Sequence, residues 1–362
     1  MAEVLFRNFT EFANSPTMVT STEKNVEPYD MIFSLWEGVL VTTILGILCV
    51  FGLIANAVTF FVICTSKTLR KSSFNILIMS LCVSDFLSAL NSPFQMYRRI
   101  WGFLEFELPV GFCKFTIGLG TWTMFVTVQH ILVFSVFRLL AMQFPNKIGR
   151  ITPKIAKITA VVIWIEVFIV SALFYIMTSS VIPYKPGRYK TACTSVSKDW
   201  RPIAAEYTTY ALPILLFAPF IGILLCAIII TYILIKIRKR RATQHTTNNK
   251  QKQEQERMAL IQVTLIVLSF FIGYSVESVY RMTKALDLRD LFTVRTKWVT
   301  LTTAYVLLRV SECLNPLFYN FGSSQMREKT KKFLRTGDVS SAPNSISSPT
   351  MKTASPHKTT VV

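Results

Sequence analysis

Apolar residues in this chain fall in long blocks separated by short polar stretches. Seven such blocks run over residues 38–64, 74–97, 111–142, 157–181, 207–236, 258–283 and 297–320. Each is about 20 residues or longer, enough to cross a hydrocarbon core of about 30 Å as a helix. Inside lipid every backbone N–H and C=O has to be bonded within the chain, so helices are the structure such runs can adopt. Two blocks are interrupted by charge: the fourth by Glu166, the seventh by Arg309 and Glu312. Pro316 in the seventh is tolerated in a membrane helix. The pattern predicts an all-α membrane protein, a seven-transmembrane helix bundle over 38–321. An N-terminal tail, 1–37, precedes it. The segment 322–334 (GSSQMREKTKKFL) is basic and partly amphipathic and reads as a helix on the membrane surface. The tail 335–362 is rich in Ser, Thr and Pro and is expected to be disordered.

Composition sharpens this picture. Hydrophobic residues make up 51% of the chain and charged residues 16%, against roughly 25% charged in soluble domains. The formal charge of +19 does not imply nucleic acid, because the basic residues sit beside apolar blocks, where they mark the cytoplasmic face and touch anionic headgroups. Lys67, Arg70 and Lys71 follow the first block, and Lys147, Arg150 and Lys154 the third. Lys236, Arg238, Lys239, Arg240 and Arg241 follow the fifth, and Arg327, Lys329, Lys331, Lys332 and Arg335 the seventh. The N-terminal tail carries Glu23, Glu27, Asp30 and Glu37 instead. The positive-inside rule places the N-terminus outside and the C-terminus in the cytosol. Lys185, Arg188, Lys190, Arg281 and Lys284 on the outer side temper that asymmetry. Asn8-Phe9-Thr10 is a glycosylation sequon on the outer tail. The start of the chain lacks a cleavable signal pattern, so the first block is expected to act as a signal anchor. Five of the seven cysteines (Cys49, Cys64, Cys82, Cys226, Cys313) lie inside apolar blocks and read as packing residues. Cys113 and Cys193 fall on the outer, oxidising side.

The polar residues inside the blocks occur in a particular order. The first has Gly52-Leu-Ile-Ala-Asn56 and the second Leu81-Cys-Val-Ser-Asp85. The third begins near Cys113 and carries Arg138 twenty-five residues later, followed by Pro145. Trp164 stands in the fourth, Pro219 in the fifth, and the seventh ends Asn315-Pro316-Leu-Phe-Tyr319. This set resembles the rhodopsin-like (class A) G-protein-coupled receptors, over residues 38–334.

The resemblance implies a receptor that passes an extracellular signal to heterotrimeric G proteins from the plasma membrane. It implies a disulfide between Cys113 and Cys193. It implies an activation switch of Arg138, Glu256, Tyr274, Asn315, Pro316 and Tyr319, with Arg138 paired to Glu256 at rest. The usual acid before the arginine is replaced by Phe137, which implies a less secure resting state. The sixth block, Phe270-Phe-Ile-Gly273-Tyr274, has no central Pro or Trp. Tyr274 stands in as the aromatic switch and Gly273 as a softer bend.

Asn56, Asp85, Thr127, Ser311 and Asn315 match the family's buried polar core, which can hold a sodium ion, here at Asp85; oxygen ligands suit such a cation. Glu312 adds a second carboxylate. It is expected either to share an ion or proton with Asp85 or to be neutralised by Arg309 one turn away. No other cofactor is implied.

The ligand pocket is expected between the helices in the outer half of the bundle, near Gly120, Glu277 and Arg309. Gly120 stands where amine receptors carry an acid, and Arg309 where opsins carry the retinal lysine, so peptides, lipids or small anions are favoured over amines or retinal. His130 reads as a satisfied core residue. Ser340, Ser341, Ser345, Ser347 and Ser348 are candidate phosphorylation sites for arrestin recruitment, and Thr360-Val361-Val362 fits a PDZ-domain ligand. A transporter or channel is the alternative, with Asp85, Glu166, Arg309 and Glu312 as its polar path. No paired interrupted helices support it, and three histidines leave little for an enzyme.

Overall fold

The computed structural model describes residues 33–102, 106–144, 151–183, 191–194, 196–243, 250–285 and 293–337. Asn8, Pro145, the serines of the C-terminal tail and Thr360–Val362 lie outside the described residues, as do Lys147, Arg150, Lys185, Arg188 and Lys190.

Helix α1 is Leu35–Thr65 and α2 is Ser73–Trp101, with a widened π turn over its last five residues. Helix α3 is Val110–Gln143, and α4 is Pro153–Thr178 with a second π turn at Phe168–Ala172. Helix α5 runs from Arg201–Glu206 through a π turn at Tyr207–Ala211 into Leu212–Thr243. Helices α6 (Lys250–Ala285), α7 (Val294–Gly322) and α8 (Ser324–Thr336) follow. Strands β1 (Ser180–Pro183) and β2 (Thr191–Thr194) pair antiparallel between α4 and α5, with Val181 opposite Cys193.

The surface and the interior are inverted relative to a soluble protein. Ile54, Ile165, Ile169, Ile214, Leu225, Ile228 and Ile272 are exposed, while Asn56, Ser84, Asp85, Ser88, Asn91, Arg309, Glu312 and Asn315 are buried. An apolar exterior around a polar seam is stable only against lipid. Helices α1 to α5 are long and apolar enough to span a membrane on composition alone. The apolar part of α6 is the shorter Thr264–Tyr280. Helix α7 carries Arg295, Lys297, Arg309 and Glu312, and the last two are turned inward.

Local chemistry fixes the element ends. Ser34 and Glu37 form a capping box at the start of α1, with Ser34 N–H donating to Glu37 Oε2 at 2.8 Å. The same carboxylate accepts Arg295 Nη2 at 2.7 Å, clasping the start of α1 to the start of α7. Thr152 caps α4 ahead of Pro153, whose missing N–H is no loss in a first turn. Ser73 Oγ donates to Ile151 O at 2.6 Å, joining the starts of α2 and α4. At the same end of the bundle, α8 begins with Ser323 accepting from Met326 N–H and stops at Gly337, whose φ of 69° suits a glycine C-cap. Met326 is buried and anchors α8.

Candidate functional site

The inward faces of α2, α3 and α7 form one polar seam running along the bundle. On α2 the buried residues Ser84, Asp85, Ser88, Asn91, Ser92 and Gln95 recur at helical spacing and lie on one face. Thr116, Gly120, Thr123 and Thr127 on α3 face them, and Thr302, Arg309, Glu312 and Asn315 on α7 close the third side.

At the disulfide end, Gln95 Nε2 and Asn91 Nδ2 both donate to Thr116 O, at 2.8 and 2.9 Å. Gln95 Oε1 accepts two bonds from Arg98, from Nε at 3.2 Å and Nη2 at 3.0 Å. Arg99 reaches α7, donating from Nη1 to Leu301 O and lying 4.8 Å from the Tyr305 ring centroid. Gly120 makes room for this layer: a Cβ there would lie 2.5 Å from Gln95 Nε2.

The middle layer holds the ion pair. Arg309 Nη1 lies 2.7 Å from Glu312 Oε2, and Nη2 donates to Oε1 at 2.8 Å, a two-pronged guanidinium–carboxylate contact. Arg309 also donates to Ser88 Oγ and lies against the Tyr305 ring. Of the two arrangements open to Glu312, the structure has the salt bridge.

The next layer centres on Asp85. Its Oδ1 accepts from Thr127 Oγ1 at 3.1 Å and its Oδ2 from Asn315 Nδ2 at 2.9 Å. Ser84 ties in through Thr127 Oγ1 and Thr123 O. Asn56 donates within its own helix to Gly52 O. Ser311 lies between α6 and α7, accepting from Ser269 Oγ at 3.0 Å. A sodium ion needs several oxygens free to coordinate it. Here each Asp85 oxygen accepts one protein donor, Glu312 is held by Arg309, and that guanidinium already brings a cation into the seam. A sodium ion at Asp85 would compete with this resident positive charge.

Beyond Asp85 the seam turns apolar. Tyr319 is buried and lines a small cavity with Leu77, Leu81, His130, Phe134 and Ile266. Phe134 packs edge-on against Phe74, and the Arg138 guanidinium lies 5.2 Å from the Phe74 centroid. Glu256 is in α6, but its side chain is outside the described ones, so its pairing with Arg138 is not seen. Phe137 packs on a cluster of Ile76, Leu77 and Ala156.

Tyr274 is fully buried, tilted against Phe270 at 4.6 Å, with its hydroxyl 3.4 Å from Met124 O. Helix α6 is continuous through Gly273, from Lys250 to Ala285. A Cβ at Gly273 would lie 2.7 Å from Ser311 Cβ, so the residue permits a close α6–α7 approach. His130 is satisfied on both ring nitrogens, by Val126 O and Ser80 Oγ, and Ser80 Oγ also accepts from Trp164 Nε1. Glu277 is half-buried on α6.

Arg309, expected both near the ligand pocket and as a partner for Glu312, is held in the buried ion pair. Glu166, placed on a polar path through the bundle, is exposed on the outer face of α4. Arg98, Arg99 and Gln95, which the sequence reading passed over, form the end of the seam; helical spacing from Asp85 through Ser88 and Gln95 is the signal that would have found them.

Cys113 and Cys193 are joined by a disulfide that ties β2 to the start of α3. The contact is extended by Phe106 N–H donating to Thr191 O at 2.7 Å. Residues 55–319 match the family model described as 7 transmembrane receptor (rhodopsin family). The chain is 26% identical over 301 residues to somatostatin receptor type 1 of Rattus norvegicus, covering 82% of this chain and 72% of the relative. It is 23% identical over 313 residues to somatostatin receptor type 5 of the same species, covering 82% and 78%. With seven helices around a polar seam and a disulfide-held hairpin over one end, the chain belongs to the rhodopsin family of seven-transmembrane, G-protein-coupled receptors.

Proposed function

We propose that this receptor, a multi-pass protein of the plasma membrane, binds its ligand at the disulfide end and drives nucleotide exchange on a heterotrimeric G protein at the opposite end. The observation that carries this reading is the succession of polar and aromatic contacts along the bundle. Hydrogen bonds link Arg98, Gln95 and Thr116 at one end, and Ser88, Arg309 and Glu312 in the middle layer. Asp85 and Asn315 follow, and Tyr319, Phe134 and Phe74 lead on to Arg138. A ligand that favours one arrangement of this seam shifts the population of the far end.

In this reading the N-terminus is extracellular, and the basic segments around α8 face the cytosol and its anionic lipids. Arg138, Glu256, Tyr274, Asn315, Pro316 and Tyr319 are the residues whose rearrangement opens the G-protein face. The ligand is a peptide, a lipid or a small anion; the likeness to somatostatin receptors supports the peptide within that set. Tail phosphorylation for arrestin and a PDZ contact at the last residues belong to the same proposal. The transporter alternative is not favoured, because its path needs Glu166, which faces outward.

Nucleotide exchange on a panel of purified G proteins tests the reading. Exchange is expected from the wild-type receptor in nanodiscs and is expected to be lost in Arg138→Ala. Equal exchange by both, with every G protein, would overturn it.

A further inference from the structure

We propose that Arg98, seated by Gln95 where α2 and α3 meet α7, is the recognition point for an oxyanion carried by the ligand, a carboxylate or a phosphate. The word ligand rests on the receptor reading above; the geometry does not.

The guanidinium of Arg98 uses one edge of its fork, Nε and Nη2, on a single acceptor, Gln95 Oε1. That acceptor is held in turn: Gln95 is 5% exposed and bonded to the α3 backbone at Thr116. The plane of the guanidinium is thereby set, and its other edge, Nη1 with the second Nη2 hydrogen, has no partner among the described residues and has the geometry to meet two oxygens side by side. Among the described residues no carboxylate pairs with Arg98. A half-buried positive charge whose partner among the described residues is a neutral amide needs a counter-charge, and inside a membrane bundle such a charge marks a site of use.

The surroundings point the same way. Arg99, the next residue on α2, and Arg309 in the layer below both lie against the Tyr305 ring, so this part of the seam is rich in guanidinium. The Oγ1 atoms of Thr116 and Thr302 are buried with no hydrogen-bond partner among the described residues, in residues at most 2% exposed. Each hydroxyl has a proton it can donate to an oxyanion. Gly120 completes the arrangement by leaving room for the Gln95 amide. Gln95 is thus a positioning residue and Arg98 the one that touches the anion.

Thermal unfolding of the purified receptor in phosphatidylcholine nanodiscs tests this without any G protein. Inorganic phosphate, succinate and uncharged succinamide are titrated against chloride at matched ionic strength. A saturable rise in Tm with phosphate or succinate, and none with succinamide, is expected. Whichever anion is preferred identifies the phosphate or carboxylate source. Arg98→Gln is expected to raise the half-saturating concentration at least about tenfold, roughly 1.4 kcal/mol. Arg98→Lys keeps the charge and loses the fork, and is expected to fall between; it carries the test if Arg98→Gln does not fold. No response in the wild type, or one that survives both substitutions, would overturn the proposal. If exchange activity fails while the anion response stands, the receptor reading falls and the anion site does not.

Discussion

Arg309 and Glu312, three residues apart on α7, meet in a two-pronged ion pair whose side chains are only 4% and 3% exposed. The pair stands between the anion-reading end of the seam and the Asp85 layer, and Ser88 fastens it to α2. Removing one partner of a sealed pair leaves a bare charge, at a cost of about 3–5 kcal/mol. Arg309→Leu and Glu312→Leu are each expected to lower the unfolding temperature sharply in nanodiscs. The double variant is expected to recover most of the loss, because paired removal leaves no stranded charge.

The same pair bears on cations. With a guanidinium resident in the seam and both Asp85 oxygens bonded to protein donors, exchanging sodium for choline at constant ionic strength is expected to leave basal nucleotide exchange unchanged. A sodium-dependent fall in basal exchange, abolished by Asp85→Asn, would contradict this.

Gly120 and Gly273 sit where an added Cβ would crowd a neighbouring side chain. Alanine at Gly120 would press on the Gln95 amide and alanine at Gly273 on Ser311. Overpacking of this kind costs about 1–3 kcal/mol, read as a lower unfolding temperature. Gly120→Ala is expected to weaken the phosphate or succinate response as well, since it displaces Gln95. Gly273→Ala, facing α7 on another helix, is expected to leave it intact.

Phe137 occupies the position beside Arg138 where the family places an acid. Introducing one, Phe137→Asp, would give the guanidinium a local partner at a half-exposed site, a gain of about 1 kcal/mol. Basal exchange is expected to fall by roughly fivefold. An unchanged or increased basal rate would show that the resting state is not held through Arg138.

Losing the disulfide releases β2 from α3. Cys113→Ser is expected to cost about 2–5 kcal/mol and to lower the yield of folded receptor, measured by thermal unfolding and by size-exclusion recovery.

Much of this architecture was legible in the chain, because lipid imposes one simple rule on long apolar runs. The predicted spans 38–64 and 111–142 sit inside Leu35–Thr65 and Val110–Gln143. Hydropathy sees only the part of a helix within hydrocarbon, so it missed the polar first turns of α6, which starts at Lys250 rather than 258. It also missed the Arg201–Glu206 turn ahead of α5. The β1–β2 hairpin was invisible, because four-residue strands held by a disulfide carry almost no pattern of their own. The Asp85–Asn315 contact was implied by motif, whereas the state of Glu312 depended on which way one arginine turned. Arg98 was overlooked because a charge near a block end reads as solvated until its partner is seen to be a buried amide.

The clasp between Glu37 and Arg295 has a topological consequence. It fastens the first spanning helix to the last, and Asp85–Asn315 and Ser88–Arg309 tie the second helix to the last deeper in the bundle. The circle of helices is therefore closed by side chains and not by any backbone connection. A nick between α5 and α6 would leave two fragments, each already a membrane-inserted set of helices, that still present matching faces to one another. Co-expressed as separate chains, they are expected to reassemble into a working receptor.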